Sequence, residues 1–377
     1  MKRMLIALLA APLLLLGCGG GAARKGLSGG DTVRFAHATL LQLIRCDGYT
    51  IARLADPWNA GKTLHTYILV PRDSDIPAGS LPAGGTVVRT PLTRAVSFTT
   101  VHANLAAELG RSSAIAGIAD LKYVKVPYIL EGCRSGRIAD VGSSMSPDVE
   151  KIIDLSPDAV LLSPFENSGG YGRLEKTGIP IIECSDYMEP TALGRAEWMR
   201  FYGLLFGAVR EADSLFAVVD SSYAALKNLA ARSPEHRSVL MDKKTGSVWY
   251  VPGGRSTIGG MLADAGAVYP FASDTHAGSL SLPFETVLDR AGDADVWLFR
   301  YSGDHPVTYG ELLSEFHGYG RMRPFRERRC YGCNLDETRF FEETPFRPDL
   351  LLADFIRIAS PGAGLPGSLR YYKALEK

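Results

Sequence analysis

The chain has 377 residues, enough for two domains, and 46% of them are apolar, an ordinary share for packed cores that argues against a disordered polymer. Lysine plus arginine and aspartate plus glutamate balance at 41 each, so the sequence lacks the basic surplus that nucleic-acid binding leaves, and no DNA or RNA partner is expected.

Residues 1–18, MKRMLIALLAAPLLLLGC, start with Lys2 and Arg3, continue as an apolar run too short for a comfortable membrane span, and place a small residue before Cys18. That is the pattern of a secretory signal. Leu15-Leu16-Gly17-Cys18 resembles a bacterial lipobox, which implies cleavage that leaves Cys18 as a lipidated N-terminus; an ordinary secretory signal with an incidental cysteine is the alternative. Residues 19–31, with their GGGAARKG start, have the small, flexible composition of a tether. They lack the acidic run that some surface-exported lipoproteins carry, so a membrane-anchored periplasmic location is expected. No later stretch is long and apolar enough to span a bilayer.

Residues 32–92 form a β-rich N-terminal segment, with strands predicted at Phe35 to Ile44, Tyr49 to Leu54 and Thr63 to Val70, followed by Pro- and Gly-rich loops from Asp73 to Gly85. Across residues 93–192 strands and helices alternate, the grammar of an α/β lobe with a parallel sheet. Its strands are predicted at Ala95 to Phe98, Ile115 to Gly117, Ala159 to Leu162 and Ile179 to Glu183. Residues 193–234 carry an apolar stripe through Trp198, Phe201, Leu205, Phe216, Val219 and Tyr223, which predicts helix with a break near Gly207. Its second part, Glu211 to Arg232, would extend roughly 33 Å at about 1.5 Å per residue, long enough to run along two lobes. Residues 235–377 begin a second α/β lobe, with strands at Ser238 to Asp242 and Val248 to Val251, a helix from about Thr257 to Ala265, and an amphipathic tail helix in RPDLLLADFIRIAS.

One phrase occurs twice. PDVEKIIDLSPDAVLLS, residues 147–163, is echoed by PFETVLDRAGDADVWLF, residues 283–299. Each copy has a proline and a carboxylate, Glu150 or Glu285, then apolar residues at helical spacing, an aspartate-containing turn, and a continuous apolar run suited to a strand buried on both faces. The turns are Ser156-Pro157-Asp158 and Gly292-Asp293-Ala294. The fold class expected is α/β, two Rossmann-like lobes with parallel-rich sheets joined by a long rigid helix. The two glutamates should then occupy corresponding surfaces.

Beyond Cys18 the chain contains Cys46, Cys133, Cys184, Cys330 and Cys333, an odd number that leaves at least one thiol unpaired within the chain. Cys330-Tyr331-Gly332-Cys333 is a C-x-x-C that taken alone suits a redox pair, half a zinc site or a local disulfide; no second C-x-x-C or close histidine pair accompanies it, and a structural role is expected.

In this order the sequence resembles the substrate-binding proteins of ABC importers that carry iron–siderophore, haem or vitamin B12 complexes, whose lobes are joined by a rigid helix. The resemblance covers about residues 32 to 375 and rests on ADPW (55–58), YILVPR (67–72), the stretch 147–165, LGRAEWMRFYG (residues 193–203), VWYVPGGRS and RPDLLLADFIRI. It implies a monomeric binding protein with no intrinsic cofactor, a metal chelate as transported ligand, and an ABC permease and ATPase complex as partners. It also implies that Glu150 and Glu285 engage arginines on the two permease copies. Both glutamates equally suit the first turn of a helix, where a carboxylate favours the macrodipole.

Ligands in open α/β sheets collect beyond the carboxyl ends of the strands. In the first lobe that rule selects Thr99, Thr100 and His102, then Lys122 and Tyr123, then Phe165, Glu166 and Asn167, and Asp186 with Tyr187. In the second it selects Trp249, Tyr250 and Arg255, and Arg300 with Tyr301. Aromatics with a polar end and arginines able to grip oxygens in pairs suit a bulky chelate, although each aromatic alone equally suits packing. His102 suits either a metal within a chelate or a hydrogen-bonded loop. No bare-metal site is expected, because the seven histidines are scattered. The sequence contains no nucleophile elbow, P-loop or dinucleotide fingerprint, so an enzyme is not expected. The alternatives are a hydrolase or redox envelope lipoprotein using Cys330 and Cys333, and a binding protein for a small molecule that is not a chelate.

Overall fold

The computed structural model describes residues 30–75, 81–166 and 170–376. Cys18 with its signal, residues 19–29 of the expected tether, and Asn167 lie outside these residues; the tether expected to reach residue 31 ends earlier, because Asp31 already pairs in the first strand.

The N-terminal segment is a five-stranded sheet in sequence order, β1 (Asp31–Val33), β2 (Leu41–Cys46), β3 (Tyr49–Ala55), β4 (Thr63–Pro71) and β5 (Thr86–Thr90). The first four are antiparallel neighbours and β5 runs parallel to β4. The alternation of each strand turns Leu41, Leu43, Ala52, Leu54, Tyr67 and Leu69 into one core.

The strand predicted from Phe35 to Ile44 begins only at Leu41. Two buried carboxylates take the preceding backbone instead. Glu197 accepts from the N–H groups of Ala36, His37 and Ala38 at 3.0, 2.8 and 2.9 Å. Glu189 accepts from those of Thr39 and Leu40 at 3.0 and 2.8 Å. Hydrogen bonds to charged acceptors are stronger than a ladder's neutral ones, so this stretch fastens to the connector rather than pairing as a strand.

The first lobe contains β6 (Ala95–Ser97), α1 (Thr100–Glu108), β7 (Ile115–Ile118), α2 (Pro127–Arg134), β8 (Ala139–Asp140), β9 (Gly142–Ser143), β10 (Ser146–Pro147), α3 (Val149–Asp154), β11 (Ala159–Leu162) and β12 (Ile181–Glu183). Its main sheet is wholly parallel, in the order β12-β11-β6-β7-β8. In β11, Ala159 and Leu161 enter the core shared with the N-terminal sheet, while Val160 and Leu162 enter a second core with Ile152 of α3. Burial on both faces explains the unbroken apolar run. The edge strand β12 is closed by one side chain of the added sheet: the Tyr67 hydroxyl donates to the Ile181 carbonyl at 2.9 Å and accepts from the Glu183 N–H at 2.8 Å.

The connector comprises α4 (Ala192–Glu197), α5 (Met199–Phe206) and α6 (Val209–Ala230), with Gly207 left-handed at the break. The 22 residues of α6 serve both lobes. Ala212, Phe216 and Val219 lie in the core of the first, whereas Tyr223 and Ala230 lie in that of the second.

The second lobe contains β13 (Val239–Met241), β14 (Lys244–Thr245), β15 (Val248–Pro252), α7 (Thr257–Asp264), β16 (Ser279–Leu282), α8 (Phe284–Ala291), β17 (Val296–Tyr301), α9 (Tyr309–Glu315), α10 (Arg323–Arg326), β18 (Cys330–Asn334), α11 (Phe340–Glu343), α12 (Pro348–Ala359) and β19 (Lys373–Ala374). The sheet order is β13-β17-β18-β19, parallel except for β19, with β14-β15-β16 as a separate antiparallel sheet. The lobes correspond strand for strand. β13 matches β6, β17 matches β11, β18 matches β12, and a parallel bridge from Ser238 to Val268 stands where β7 stands in the first lobe. Both copies of the repeated phrase therefore fold as a helix feeding the same sheet position. Because α8 is two residues longer than α3, the aspartate that matches Asp158 is Asp295, and not Asp293 of the predicted turn.

Candidate functional site

The carboxyl edges of the two parallel sheets face each other. Lys125, beyond β7, pairs at 3.1 Å with Asp336, beyond β18, and Asn104 of α1 donates at 3.2 Å to the carbonyl of Glu342 in α11. A ligand between the lobes would therefore meet the strand-end loops. Two cavities among the described residues lie away from these edges, one between α4, α6 and α7, the other beside Arg357.

Several candidates stand open at these edges. Tyr123 is 64% and Phe165 50% exposed, and Glu166 beside the latter is exposed as well. The Lys122 ammonium lies 4.6 Å from the centre of the Tyr123 ring. Tyr187 is half-buried and its hydroxyl donates to the Pro164 carbonyl at 2.5 Å, which steadies the Phe165 turn. Tyr250 faces outward from β15, in the separate antiparallel sheet, at 46% exposure. Arg255 is exposed, and its guanidinium has no partner among the described residues. Tyr301 is half-buried, its hydroxyl accepting from the Val307 N–H at 3.2 Å. Thr100 opens α1 with a buried hydroxyl that has no hydrogen-bond partner among the described residues.

The structure buries two candidates, Trp249 and His102, and engages a third, Arg300, in an ion pair. Trp249 is fully buried because alternation on β15 turns it inward, against Phe284, Trp297 and Tyr319, with its indole N–H on the Met241 carbonyl at 3.0 Å. His102 is buried, stacked on Tyr202 and bonded to Thr99 and Asp186. Arg300 is held in a two-pronged pair with Asp242 at 2.8 and 2.6 Å, which pushes its pKa further up against the cost of burial. The pair engages two of the five N–H donors of a guanidinium that keeps 29% side-chain exposure.

Beneath the first lobe's edge lies a buried charged centre. Asp186 receives His102 Nε2 at 3.0 Å, Arg195 Nε at 3.0 Å and the Tyr202 hydroxyl at 2.8 Å. Burial disfavours the charges, yet His102 and Arg195 hold the Asp186 carboxyl down at about 2. Burial likewise opposes charge on His102, but the Cys184 sulfur and the Asp186 carboxylate raise it to about 10.

Glu150 and Glu285 each occupy the second position of their helix, α3 and α8, and both are exposed. Each helix runs back along the strand that follows it, so both glutamates lie at the carboxyl edge of their sheets. Glu150 is ion-paired with Arg173, whose hydrogen bond lowers its pKa; Glu285 has no side-chain partner among the described residues.

Cys330 and Cys333 sit three apart on one strand, so they point to opposite faces of β18 and cannot join without breaking it. Both are buried free thiols, and burial pushes them up to about 12 and about 11. That is the reverse of a reactive thiolate. Among the described residues no group of three or more histidine, cysteine or acidic side chains is placed to hold a metal ion, and no helix is long and apolar enough to cross a membrane.

The strand-end rule missed Met145 and Asp242. Met145, 77% exposed, lies between the two-residue strands β9 and β10, too short to show a period. Asp242 follows β13 in a left-handed conformation, φ 58°, which no sequence pattern announces for an aspartate.

A model of the family described as periplasmic binding protein matches residues 96–334, beginning just after β5. An uncharacterized lipoprotein of Methanocaldococcus jannaschii is 24% identical over 332 residues, covering 82% of this chain and 78% of that protein. The petrobactin-binding protein YclQ of Bacillus subtilis is 27% identical over 184 residues, covering 47% of this chain and 55% of that protein. Among solved structures, a periplasmic heme-binding protein of Pseudomonas aeruginosa superimposes with a TM-score of 0.58 at 18% identity, covering 76% of this chain and 98% of that one. Proteins of this kind bind solutes for transport and are not enzymes.

Proposed function

The chain belongs to the periplasmic binding protein family, and from that premise we propose that it is the substrate-binding component of an ABC importer. It captures a metal chelate, a ferric siderophore, haem or cobalamin, between its lobes and delivers it as a monomer to an inner-membrane permease and its ATPase. The observation that carries this proposal is the pairing of two corresponding parallel sheets whose carboxyl edges meet across the Lys125–Asp336 bridge. Tyr123 and Phe165 offer planar apolar area at the first lobe's edge, and in the second lobe the antiparallel sheet offers Tyr250 with the unengaged guanidinium of Arg255 beyond it. The heme-binding and petrobactin-binding proteins it resembles have names that favour an iron chelate. Because α6 is built into both cores, wide bending would break backbone hydrogen bonds, so capture proceeds with small lobe motions. Lipidation at Cys18 would tether the protein to the membrane.

Glu150 and Glu285 are the proposed docking residues. Charge pairs at a transient interface set orientation and encounter rate more than affinity. The double variant Glu150→Ala with Glu285→Ala should lose chelate uptake by cells while keeping wild-type chelate affinity. Loss of affinity in that variant would contradict the docking role.

A further inference from the structure

The second lobe reaches across to the first on the stretch between β18 and α12, which begins where the family match over residues 96–334 ends. Asp336 pairs there with Lys125 at 3.1 Å, and the Glu342 carbonyl accepts from Asn104 at 3.2 Å. The Glu342 carboxylate faces the main-chain N–H of Lys125. Phe346 then enters the core of the first lobe, its ring 5.6 Å from that of Tyr202.

Between these anchors α11 makes a single turn, on which successive side chains point about 100° apart. Phe340 points into the core of the second lobe, its ring 5.6 Å from that of Tyr371. Glu342 points to the first lobe. Glu343 is bonded to Arg370 and Tyr371, and its charge is felt by Glu108, the last residue of α1 and so the end of that helix farthest from the carboxyl edge. Phe341 lies opposite Glu343 on the turn and therefore faces back toward the carboxyl edge, 50% exposed. Its ring contact among the described residues is with Phe340, at 5.5 Å and 89°. Tyr123 stands two residues before Lys125 and Phe341 one before Glu342, so two exposed aromatics border the same seam from opposite lobes.

We propose that Phe341 is a ligand-contacting residue of the second lobe, and that with Tyr123 it holds a flat conjugated group of the chelate, a catecholate ring or a tetrapyrrole. This rests on the chelate-binding function proposed above. The strand-end candidates of the second lobe's parallel sheet offer no such face, since Arg300 is paired with Asp242 and Tyr301 is half-buried. The bonds on either side of Phe341 fix its backbone before ligand arrives, so stacking on it carries little ordering cost. Aromatic faces attract other conjugated faces beyond the area they bury, whereas an aliphatic hydroxamate presents none.

The full chain with Cys18 replaced, and its Phe341→Tyr and Phe341→Ala variants, are titrated with hemin, cyanocobalamin, ferric 2,3-dihydroxybenzoate and ferric desferrioxamine B. One of the first three should bind, and which one does separates tetrapyrrole from catecholate. For that chelate Phe341→Ala should lose about tenfold in affinity and Phe341→Tyr should stay within about twofold. The melting temperature of unliganded Phe341→Ala should match that of the wild type, because the lost ring is half in water. An independent reading uses phenylalanine-labelled protein and the diamagnetic chelate, with gallium(III) in place of iron. Nuclear Overhauser effects should join the conjugated group to the Phe341 ring and vanish in Phe341→Tyr. Unchanged affinity in Phe341→Ala, or absence of those effects, would overturn the proposal while chelate binding stood. Binding of ferric desferrioxamine B alone would do the same. If the wild type bound none of the four, the chelate-binding function itself would be contradicted, and the role of Phe341 with it.

Discussion

Asp158 and Asp295 make the same bonds in the two lobes. Each stands one residue before the repeated strand and receives the main-chain N–H and the hydroxyl of a residue at the start of the neighbouring strand, Thr93 at 2.6 and 3.0 Å in the first lobe and Ser238 at 2.7 and 2.8 Å in the second. A guanidinium closes each carboxylate, Arg72 on Asp158 and Arg323 on Asp295. Burial raises both pKa values, but these hydrogen bonds outweigh it and hold both carboxyls below their usual range.

Replacing either aspartate by alanine strands a main-chain N–H and a guanidinium, so each variant should lose about 2 kcal/mol in denaturant unfolding. The pair should add, since the sites lie in separate lobes without shared partners. A neutral result at either position would contradict their equivalence.

Asp186 should matter more. Asp186→Asn leaves His102 and Arg195 without their buried counter-charge and should cost about 3–5 kcal/mol. The sign of the pH dependence follows from His102, raised in the folded chain from 6.5 to about 10. Its contribution is complete below pH 6.5 and is lost as pH rises through 10. On the acid side Asp186, lowered from 3.8 to about 2, contributes above 3.8 and loses that contribution as pH falls. Glu108, Glu342 and Asp354, whose carboxyls burial raises, act in the opposite sense there, so the alkaline limb is the clearer test. Melting temperature should fall from pH 6.5 to 10 in the wild type, and the fall should be smaller in Asp186→Asn, where Cys184 still faces His102 and the buried Cys330 and Cys333 thiols, raised to about 12 and about 11, still cost stability at the alkaline end.

The buried thiols of Cys330 and Cys333 should resist alkylation until the chain unfolds, and chelate binding should be the same with and without a reductant. Rapid modification of either thiol in the folded protein would revive a redox role.

Much of this architecture was legible because buried parallel strands leave continuous apolar runs and amphipathic helices leave a stripe. The repeated phrase, the break at Gly207 and the 22-residue connector helix all follow from such periods. What escaped depends on partners distant in sequence. Residues 36–40 look like strand, but carboxylates from Glu189 and Glu197 take their N–H groups. His102 follows the strand-end rule in position yet is buried against Asp186, while Trp249 lies within β15 of the antiparallel sheet, where alternation turns it inward, and Arg300 lies within β17 paired with Asp242. The exposed Tyr123 and Phe165 were legible because turns after buried strands leave a large side chain little interior to enter.

The central claim is chelate capture between the lobes, and a fluorescence titration of the full chain with Cys18 replaced tests it most directly. Trp198, Trp249 and Trp297 are fully buried, so a bound chromophore should quench them without contact. Saturable sub-micromolar quenching by one class among hemin, cyanocobalamin and ferric siderophores, weakened by Tyr123→Ala with Phe165→Ala, is the predicted result. Absence of saturable quenching by any of them, after inner-filter correction, would contradict it.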